Sequence, residues 1–394
     1  MTDLFILLGS IDGGGAERVA IDLARNFPET LSRKLVVIRN SDVKYPVEVP
    51  HTFLSKGGKS ILGKAISYPV TVYRYIKLSK IYCPMISLSI LPEDNLINLI
   101  ASQFTGVYPV ISFHGMPSNN NVSLFTKFFR WGSISLLKRS DASAVAVSNS
   151  VKRELIEQYG VSEDKVQVIY NPMDLASIVS LSREEVDSSF FDQNISTIIT
   201  VGRLTEVKGQ WHLIRVFAEV RKSRPCRLVI CGEGHLRHYL EDLVNELGIH
   251  EDVTFLGWCN NPYKYVAKAG VFVSSSLSES FGNVLVEAMA VGCPVVATNC
   301  SGGIGEILGC NGEYGLISEK LSGVRHPCSE KLDAGERSLL KNIELVLEDA
   351  ALRKKMSLAG KERAEYFSKE KQLAEYELLV SGILRGENYV SKSK

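Results

Sequence analysis

The stretch Leu277-Ser-Glu-Ser-Phe-Gly-Asn-Val-Leu-Val-Glu-Ala-Met-Ala-Val-Gly-Cys-Pro-Val-Val-Ala297 follows a short apolar run, Val271–Ser274, and its reading decides the rest of the chain. Val271–Ser274 has the look of a buried strand running into a loop. Gly282 permits a tight turn there. A short helix then ends near Gly292, and Pro294 opens the next strand. A loop at the carboxyl end of a parallel strand is where open α/β sheets bind ligands. Amides around Phe281–Asn283 would form a helix N-terminus, a seat for a phosphate. Glu279 lies on the loop and Glu287 about one turn into the helix, so both can face one crevice and accept hydrogen bonds from ligand hydroxyls. Two isolated glutamates would read as a helix cap and a solvated helix residue. The whole strand–loop–helix–Gly-x-Pro frame shifts the reading toward a binding site.

Outward from that frame, short β-branched runs alternate with helical periodicities. Leu4–Leu8, Leu35–Ile38, Met85–Ile90, Val110–Phe113, Ala142–Val147 and Val166–Ile169 are strand candidates in the first half. Ser196–Val201, Arg227–Cys231, Val253–Leu256, Val271–Ser274 and Pro294–Ala297 are strand candidates in the second. Between them lie helical segments such as the one from Ala16 to Phe27, Ser150–Gln158, Gly209–Arg221 and Leu236–Leu247. The alternation predicts an α/β fold of two doubly wound parallel-sheet units in series. The expected boundaries are a first domain over 1–174, a linker over 175–194 with weak periodicity, a second domain over 195–368, and a C-terminal helix over 369–385 packing back on the first domain. Within the helical tail, 335–385, the candidate core positions are Leu339, Ile343, Leu345, Val346, Leu352, Met356 and Leu378.

The 394 residues suit two domains. At 45% hydrophobic and 23% charged the chain can bury an ordinary core. A net charge of +1 argues against a nucleic-acid partner. The eight cysteines form no C-x-x-C pair and no metal-ligand spacing, and read as reduced core residues of a cytosolic protein. The N-terminus lacks a signal-like pattern, and no run reaches the ~18 apolar residues of a membrane span.

Four further constellations can carry chemistry. Val201-Gly-Arg-Leu-Thr-Glu-Val-Lys-Gly209 follows the first strand of the second domain. There Arg203 offers a planar fork and Lys208 a mobile point charge, together suited to a diphosphate; alone they would be surface charges. Gly9-Ser-Ile-Asp-Gly-Gly-Gly-Ala-Glu-Arg-Val19 opens a helix with three glycines and lets backbone approach an anion. It is not a dinucleotide fingerprint, because Arg18 stands where a third glycine belongs. Gly232-Glu-Gly-His-Leu-Arg237 also lacks its third glycine and reads equally as a bland turn. His114 ends a strand beside Gly115, with structural and catalytic readings evenly matched. Last, 56–80 carries Lys56, Lys59, Lys64, Arg74, Lys77 and Lys80 without an acid. The segment 124–139 interleaves Phe125, Phe128, Phe129, Trp131, Leu136 and Leu137 with Lys127, Arg130, Lys138 and Arg139. Both suit an anionic membrane surface, against the alternative of core-facing helices with a basic outer face.

Taken together, the motifs resemble the retaining glycosyltransferase family 4, of GT-B fold, over nearly the whole chain. The E-x7-E pattern stands as Glu279 to Glu287, the phosphate-binding pair as Arg203 and Lys208, the acceptor loop as Gly13-Gly14-Gly15-Ala-Glu-Arg, and the strand-end histidine as His114. Val147–Val151 and Val168–Pro172 also fit, whereas 318–334 departs from the family pattern. The resemblance implies two Rossmann-like domains facing a cleft, the first on the acceptor side and the second binding a nucleotide sugar. It implies that Arg203 and Lys208 hold the donor diphosphate, that Glu279 and His114 contact the donor sugar, and that Glu287 contacts the ribose. Gly14, Gly15, Gly202, Ser280, Phe281, Gly282, Asn283 and Val284 complete the donor-binding set. The Gly-Gly-Ala-Glu-Arg start and the Ile169-Tyr-Asn-Pro172 run look most like members that build bacterial surface glycans such as lipopolysaccharide O-antigen. They commonly move a hexose or N-acetylhexosamine from a UDP-sugar to a polyprenyl-diphosphate-linked acceptor, peripherally at the cytoplasmic face of the inner membrane.

The implied reaction needs no cofactor. The chain has no Asp-x-Asp motif for a catalytic metal, and Arg203, Lys208 and a helix N-terminus can take the metal's place at the leaving diphosphate. No residue stands out as a nucleophile, and the resemblance implies front-face attack assisted by the leaving phosphate. The competing readings are a non-hydrolysing sugar-nucleotide epimerase of the same fold, a glycoside hydrolase and a two-domain sugar-binding protein. In a hydrolase the cationic pair would have no task.

Overall fold

Parallel strands need crossovers, and the helical periodicities between the strand runs supply them. The computed structural model of the chain contains two parallel sheets built this way. It describes residues 2–11, 15–27, 31–39, 49–55, 61–118, 123–186, 191, 195–309 and 311–386, with 61–66 as backbone only.

The chain divides into two units, one formed by Met1–Pro172 with Glu370–Lys394 and the other by Met173–Lys369. The first holds strands β1 (Leu4–Leu8), β2 (Arg33–Arg39), β3 (His51–Ser55), β4 (Ile86–Ser89), β5 (Tyr108–Phe113), β6 (Ser143–Ala146) and β7 (Val166–Val168). They are ordered β3-β2-β1-β4-β5-β6-β7, with all pairs parallel. Helices α1 (Gly15–Asn26), α2 (Ile61–Tyr82), α3 (Pro92–Thr105), α4 (Leu124–Arg139) and α5 (Asn149–Glu157) connect them. Strand β1 shows why the sheet is covered on both faces. Leu4, Ile6 and Leu8 face one core, shared with Val19, Ala20 and Leu23 of α1; Phe5 and Leu7 face the other, with Tyr75 and Ile97 of α2 and α3.

The second unit begins with α6 (Leu175–Leu181), a helix within the stretch read as the linker. There follow β8 (Ser196–Val201), α7 (Gln210–Ser223), β9 (Cys226–Cys231), α8 (Arg237–Glu246), β10 (Val253–Gly257), α9 (Tyr263–Val266), β11 (Val271–Ser274), β12 (Ser278–Glu279) and α10 (Asn283–Ala290). The unit continues with β13 (Val295–Thr298), β14 (Ser301–Gly302), α11 (Ile304–Leu308), β15 (Leu316–Ser318), α12 (Ala334–Glu348) and α13 (Ala350–Ala364). The main sheet runs β10-β9-β8-β11-β13-β15, all parallel, and β12 pairs with β14 in a separate two-stranded ladder. Strand order therefore reverses between β8 and β11, and the loops after these two strands open side by side.

The last helix, α14 (Lys369–Leu384), returns to the first unit, where Leu373, Tyr376, Leu379 and Val380 join the core of Leu4, Ile6 and Leu8. Two of the tail positions read as core are instead exposed, Leu345 at 42% and Leu378 at 44%. The helical turn of 100° per residue puts them on the outer face while Ile343 and Val346, and Leu379 and Val380, turn inward. The connection 319–333, inside the stretch 318–334 that departs from the family pattern, is clamped by the buried Arg215. Its guanidinium donates to the carbonyls of Pro327 (2.7 Å) and Glu330 (2.9 Å) and to Glu336 Oε1 (3.0 Å). Cysteines 226, 231, 293 and 300 are buried free thiols, Cys259 and Cys328 are half-buried, and Cys83 is exposed at the end of α2, outside any core; Cys310 lies outside the described residues.

Candidate functional site

The switch between β8 and β11 gathers the polar groups of the second unit. The backbone N–H of Leu277, after β11, donates to Val207 O, after β8, at 2.8 Å, and Ser275 Oγ donates to Lys208 O at 3.0 Å. These bonds tie the two loops together and bring the Lys208 ammonium onto Glu279 Oε1 as an ion pair. The same carboxylate oxygen accepts from Ser276 Oγ at 2.8 Å. Ser276 is buried and is itself fixed by Thr298 Oγ1, which donates to its carbonyl at 2.8 Å.

Arg203, also after β8, is exposed, and its guanidinium makes no hydrogen bond or ion pair among the described residues. Its carbonyl accepts from Gln210 Nε2 at 2.9 Å, which fixes the backbone beneath a mobile cation. Gly202 N–H donates to Cys231 O at 2.9 Å.

Past Glu279, Ser280 is half-buried, and the Phe281 ring is buried edge-on against Phe367, 5.3 Å between centroids. Gly282, at φ 111°, is the N-cap of α10 and has no side chain of its own to cap that first turn. Asn283 and Val284 open the helix, half-buried. Glu287 follows one turn in, where Tyr263 Oη donates to its Oε1 at 3.4 Å.

Three elements here escaped the sequence reading. Ser276 stands one residue before the quoted frame and reads as a plain strand-end serine. Tyr263 is 24 residues from Glu287 and shares no motif with it. Gly302, at φ 124°, pairs with Glu279 in the β12–β14 ladder; a Cβ there would lie 1.2 Å from the Glu279 carbonyl oxygen, so only glycine lets this ladder form. Ser301-Gly-Gly303 after a strand was the available signal.

In the first unit, Gly14 lies outside the described residues and Gly15 is the exposed first residue of α1. His114 follows β5, with its Nε2 2.9 Å from Ser112 Oγ. Burial holds the imidazole down to about 4, only partly offset by a hydrogen bond with Asn171. The ring is therefore neutral at physiological pH and can only donate or accept hydrogen bonds.

The two basic segments divide on inspection. In α4, Phe129, Ile134 and Leu137 are core, while Leu124 (82%), Phe128 (58%) and Trp131 (67%) stand exposed at a spacing of four and three. Lys138 and Arg139 are exposed and Lys127 half-buried. Arg130 is committed inward, donating to the carbonyls of Pro117 and Met116. In α2, Tyr73 and Ile81 are exposed beside Arg74, Lys77 and Lys80. Lys56 and Lys59, and the side chain of Lys64, lie outside the described residues. No helix among the described residues is long and apolar enough to cross a membrane.

Among the described residues, one cluster has potential metal ligands: His212, Asp333 and Glu336. Glu336 Oε1 already accepts from His212 Nδ1 (2.8 Å) and Arg215 Nε (3.0 Å), so a cation would have to approach against a guanidinium. The arrangement serves to hold 319–333 in place.

Comparison with known proteins now bears on this geometry. The family model described as Glycosyltransferase Family 4 matches residues 13–177, and that described as Glycosyl transferases group 1 matches 182–324. An N-acetylgalactosamine-N,N'-diacetylbacillosaminyl-diphospho-undecaprenol 4-alpha-N-acetylgalactosaminyltransferase of Campylobacter jejuni is 33% identical over 383 residues, covering 94% of this chain and 97% of its own. This chain belongs to glycosyltransferase family 4. Among solved structures, Anabaena HepE in complex with UDP and glucose has a TM-score of 0.78 at 21% identity, over 97% of this chain and 100% of its own. The lipopolysaccharide outer core galactosyltransferase WaaB, in its apo form, has a TM-score of 0.72 at 19% identity over 97% and 100%. Both carry the GT-B fold found here, and the protein is a glycosyltransferase.

His114 gives a direct check on the first-unit geometry. Its folded pKa lies below the usual 6.5, so the neutral ring's contribution to stability is present above pH 6.5 and is lost as pH falls through about 4. In an NMR titration of histidine-labelled protein, assigned by a His114→Asn variant, this ring should titrate near pH 4. A midpoint between 6 and 7 would contradict the buried, neutral ring.

Proposed function

We propose that this glycosyltransferase is a retaining, metal-independent hexosyltransferase. It moves a hexose or N-acetylhexosamine from a UDP-sugar to a polyprenyl-diphosphate-linked glycan at the cytoplasmic face of the inner membrane, in surface-polysaccharide assembly. The observation that carries the reading is the Lys208–Glu279 pair at the β8/β11 switch. It sets a cation beside a carboxylate that this reading assigns to the donor sugar, in the unit that also carries the exposed Arg203 and the N-terminus of α10.

Breaking the sugar–phosphate bond leaves a nucleoside diphosphate. Lys208, Arg203 and the amides of Phe281–Asn283 would stabilise its growing charge. Glu279 and the neutral His114 would bind the donor sugar, Glu287 the ribose, and Gly14 and Gly15 would lie near acceptor and diphosphate. The acceptor hydroxyl would attack from the face the diphosphate leaves, its proton passing to a leaving phosphate oxygen, which preserves the anomeric configuration. The diphospho-undecaprenol in the name of the C. jejuni relative supports a lipid-linked acceptor, and the UDP and glucose of the Anabaena neighbour support the donor class.

A thermal-shift screen against UDP-, GDP- and ADP-sugars should single out a UDP-sugar, because a ligand of the native state raises the melting temperature by mass action. With that donor and a polyprenyl-diphosphate saccharide, Arg203→Ala and Lys208→Ala should each lower turnover by roughly 10²-fold while circular dichroism stays unchanged. Normal turnover in either variant would make that residue a surface charge. A free epimerised sugar in place of a glycoside would overturn the transferase reading.

A lipid acceptor stays in the bilayer, so the enzyme must come to it. The exposed Leu124, Phe128 and Trp131 beside Lys127, Lys138 and Arg139 form the proposed contact. Each basic residue near an anionic leaflet contributes about 1 kcal/mol, so attachment should be reversible and salt-sensitive. The protein should co-sediment with phosphatidylserine-containing vesicles at low salt and leave them as salt rises. The triple change Lys127→Ser, Lys138→Ser, Arg139→Ser should weaken this without altering nucleotide binding. Equal binding to neutral vesicles, or no effect of the triple change, would return these residues to an ordinary solvated face.

A further inference from the structure

We propose that Tyr263 is a positioning residue that aims Glu287 at the nucleotide ribose, an inference that rests on Glu287 being the ribose ligand. A glutamate on a helix surface has three side-chain torsions and samples many directions, and fixing it costs conformational entropy. Glu287 has a dedicated restraint. Tyr263 opens α9, is only 5% exposed, and donates its hydroxyl to Glu287 Oε1 at 3.4 Å. A buried phenol ring has few accessible torsions, so its hydroxyl is a fixed donor rather than a second mobile group.

The loop that carries Tyr263 is itself held. Asn261 Nδ2 donates to Leu181 O at 2.8 Å, and the Tyr263 ring is buried with Val266 on the same short helix. The hydroxyl thus transmits the position of a rigid element to one carboxylate oxygen and so sets the direction of the whole group. The same device serves the first glutamate, where buried Ser276 donates to Glu279 Oε1. Each carboxylate of the pair thus has one oxygen held by a buried hydroxyl of the protein.

Tyr263→Phe keeps the ring and its packing and removes only the hydroxyl. The probes are UDP, 2′,3′-dideoxy-UDP and inorganic pyrophosphate, with affinities measured by calorimetry on the full chain. Wild type should prefer UDP to the dideoxy form, and Tyr263→Phe should lose about 5- to 20-fold of that preference, the scale of a hydrogen bond to a charged group. Its affinities for the dideoxy form and for pyrophosphate should match wild type, since neither probe touches the ribose contact. In turnover, KM for the donor should rise with little change in kcat, because the ribose is bound alike in ground and transition states. Ser276→Ala should behave oppositely, lowering kcat and keeping the ribose preference. A Tyr263→Phe protein that retains the full preference overturns the proposal and leaves the ribose role of Glu287 standing. A wild type indifferent to the ribose hydroxyls, or a Glu287→Gln variant with unchanged preference, overturns that role and the proposal with it.

Discussion

The second unit depends on one topological constraint, the reversal of strand order between β8 and β11. Adjacent parallel strands whose crossovers go to opposite faces of a sheet leave a gap at their carboxyl ends, and two loops must fill it. Here the Leu277–Val207 hydrogen bond fastens those loops together. Lys208 and Glu279 are 71 residues apart, and that fastening brings them into contact. The β12–β14 ladder extends the arrangement by holding the Glu279 backbone against Gly302. The site is thus a consequence of how the sheet is wound, with side chains of ordinary chemistry placed at its one open seam.

The Lys208–Glu279 pair also explains how a cationic site can exist without ligand. Lys208 is largely covered, and an ammonium removed from water without a partner would be costly. Glu279 supplies the partner, while Arg203, at the rim, stays solvated. At an effective dielectric of 20, opposite unit charges 4 Å apart attract by about 4 kcal/mol. A diphosphate brings more than one such charge and can compete for Lys208, which would release Glu279 toward the sugar. On the proposed reading, binding of the two halves of a nucleotide sugar would then be coupled through a single ion pair.

The fold was legible because it rests on local signals. Continuous apolar runs marked β1, β2, β4 to β11 and β13, though not β3, and Gly282, Gly292 and Pro294 punctuated the decisive loop. Lys208, Glu279 and Glu287 could be picked out as candidates because they sit on loops that follow strands or one helical turn beyond. What escaped depends on phase or on distant contacts. Leu345 and Leu378 are apolar but point outward, since one helical step of 100° separates them from buried neighbours. Arg130 belongs by composition to a basic surface, yet its guanidinium is spent on the carbonyls of Pro117 and Met116. Tyr263 and Gly302 act on residues 24 and 23 positions away, and no periodicity reports such pairings.

The central claim is that the protein's own cations do at the leaving diphosphate what a metal ion does elsewhere. The most direct measurement is the rate of glycoside formation by the wild-type enzyme after exhaustive EDTA treatment, compared with the untreated enzyme and with one given Mg²⁺ or Mn²⁺. The account predicts the same rate in all three. Loss of turnover in EDTA, restored by either ion, would contradict it.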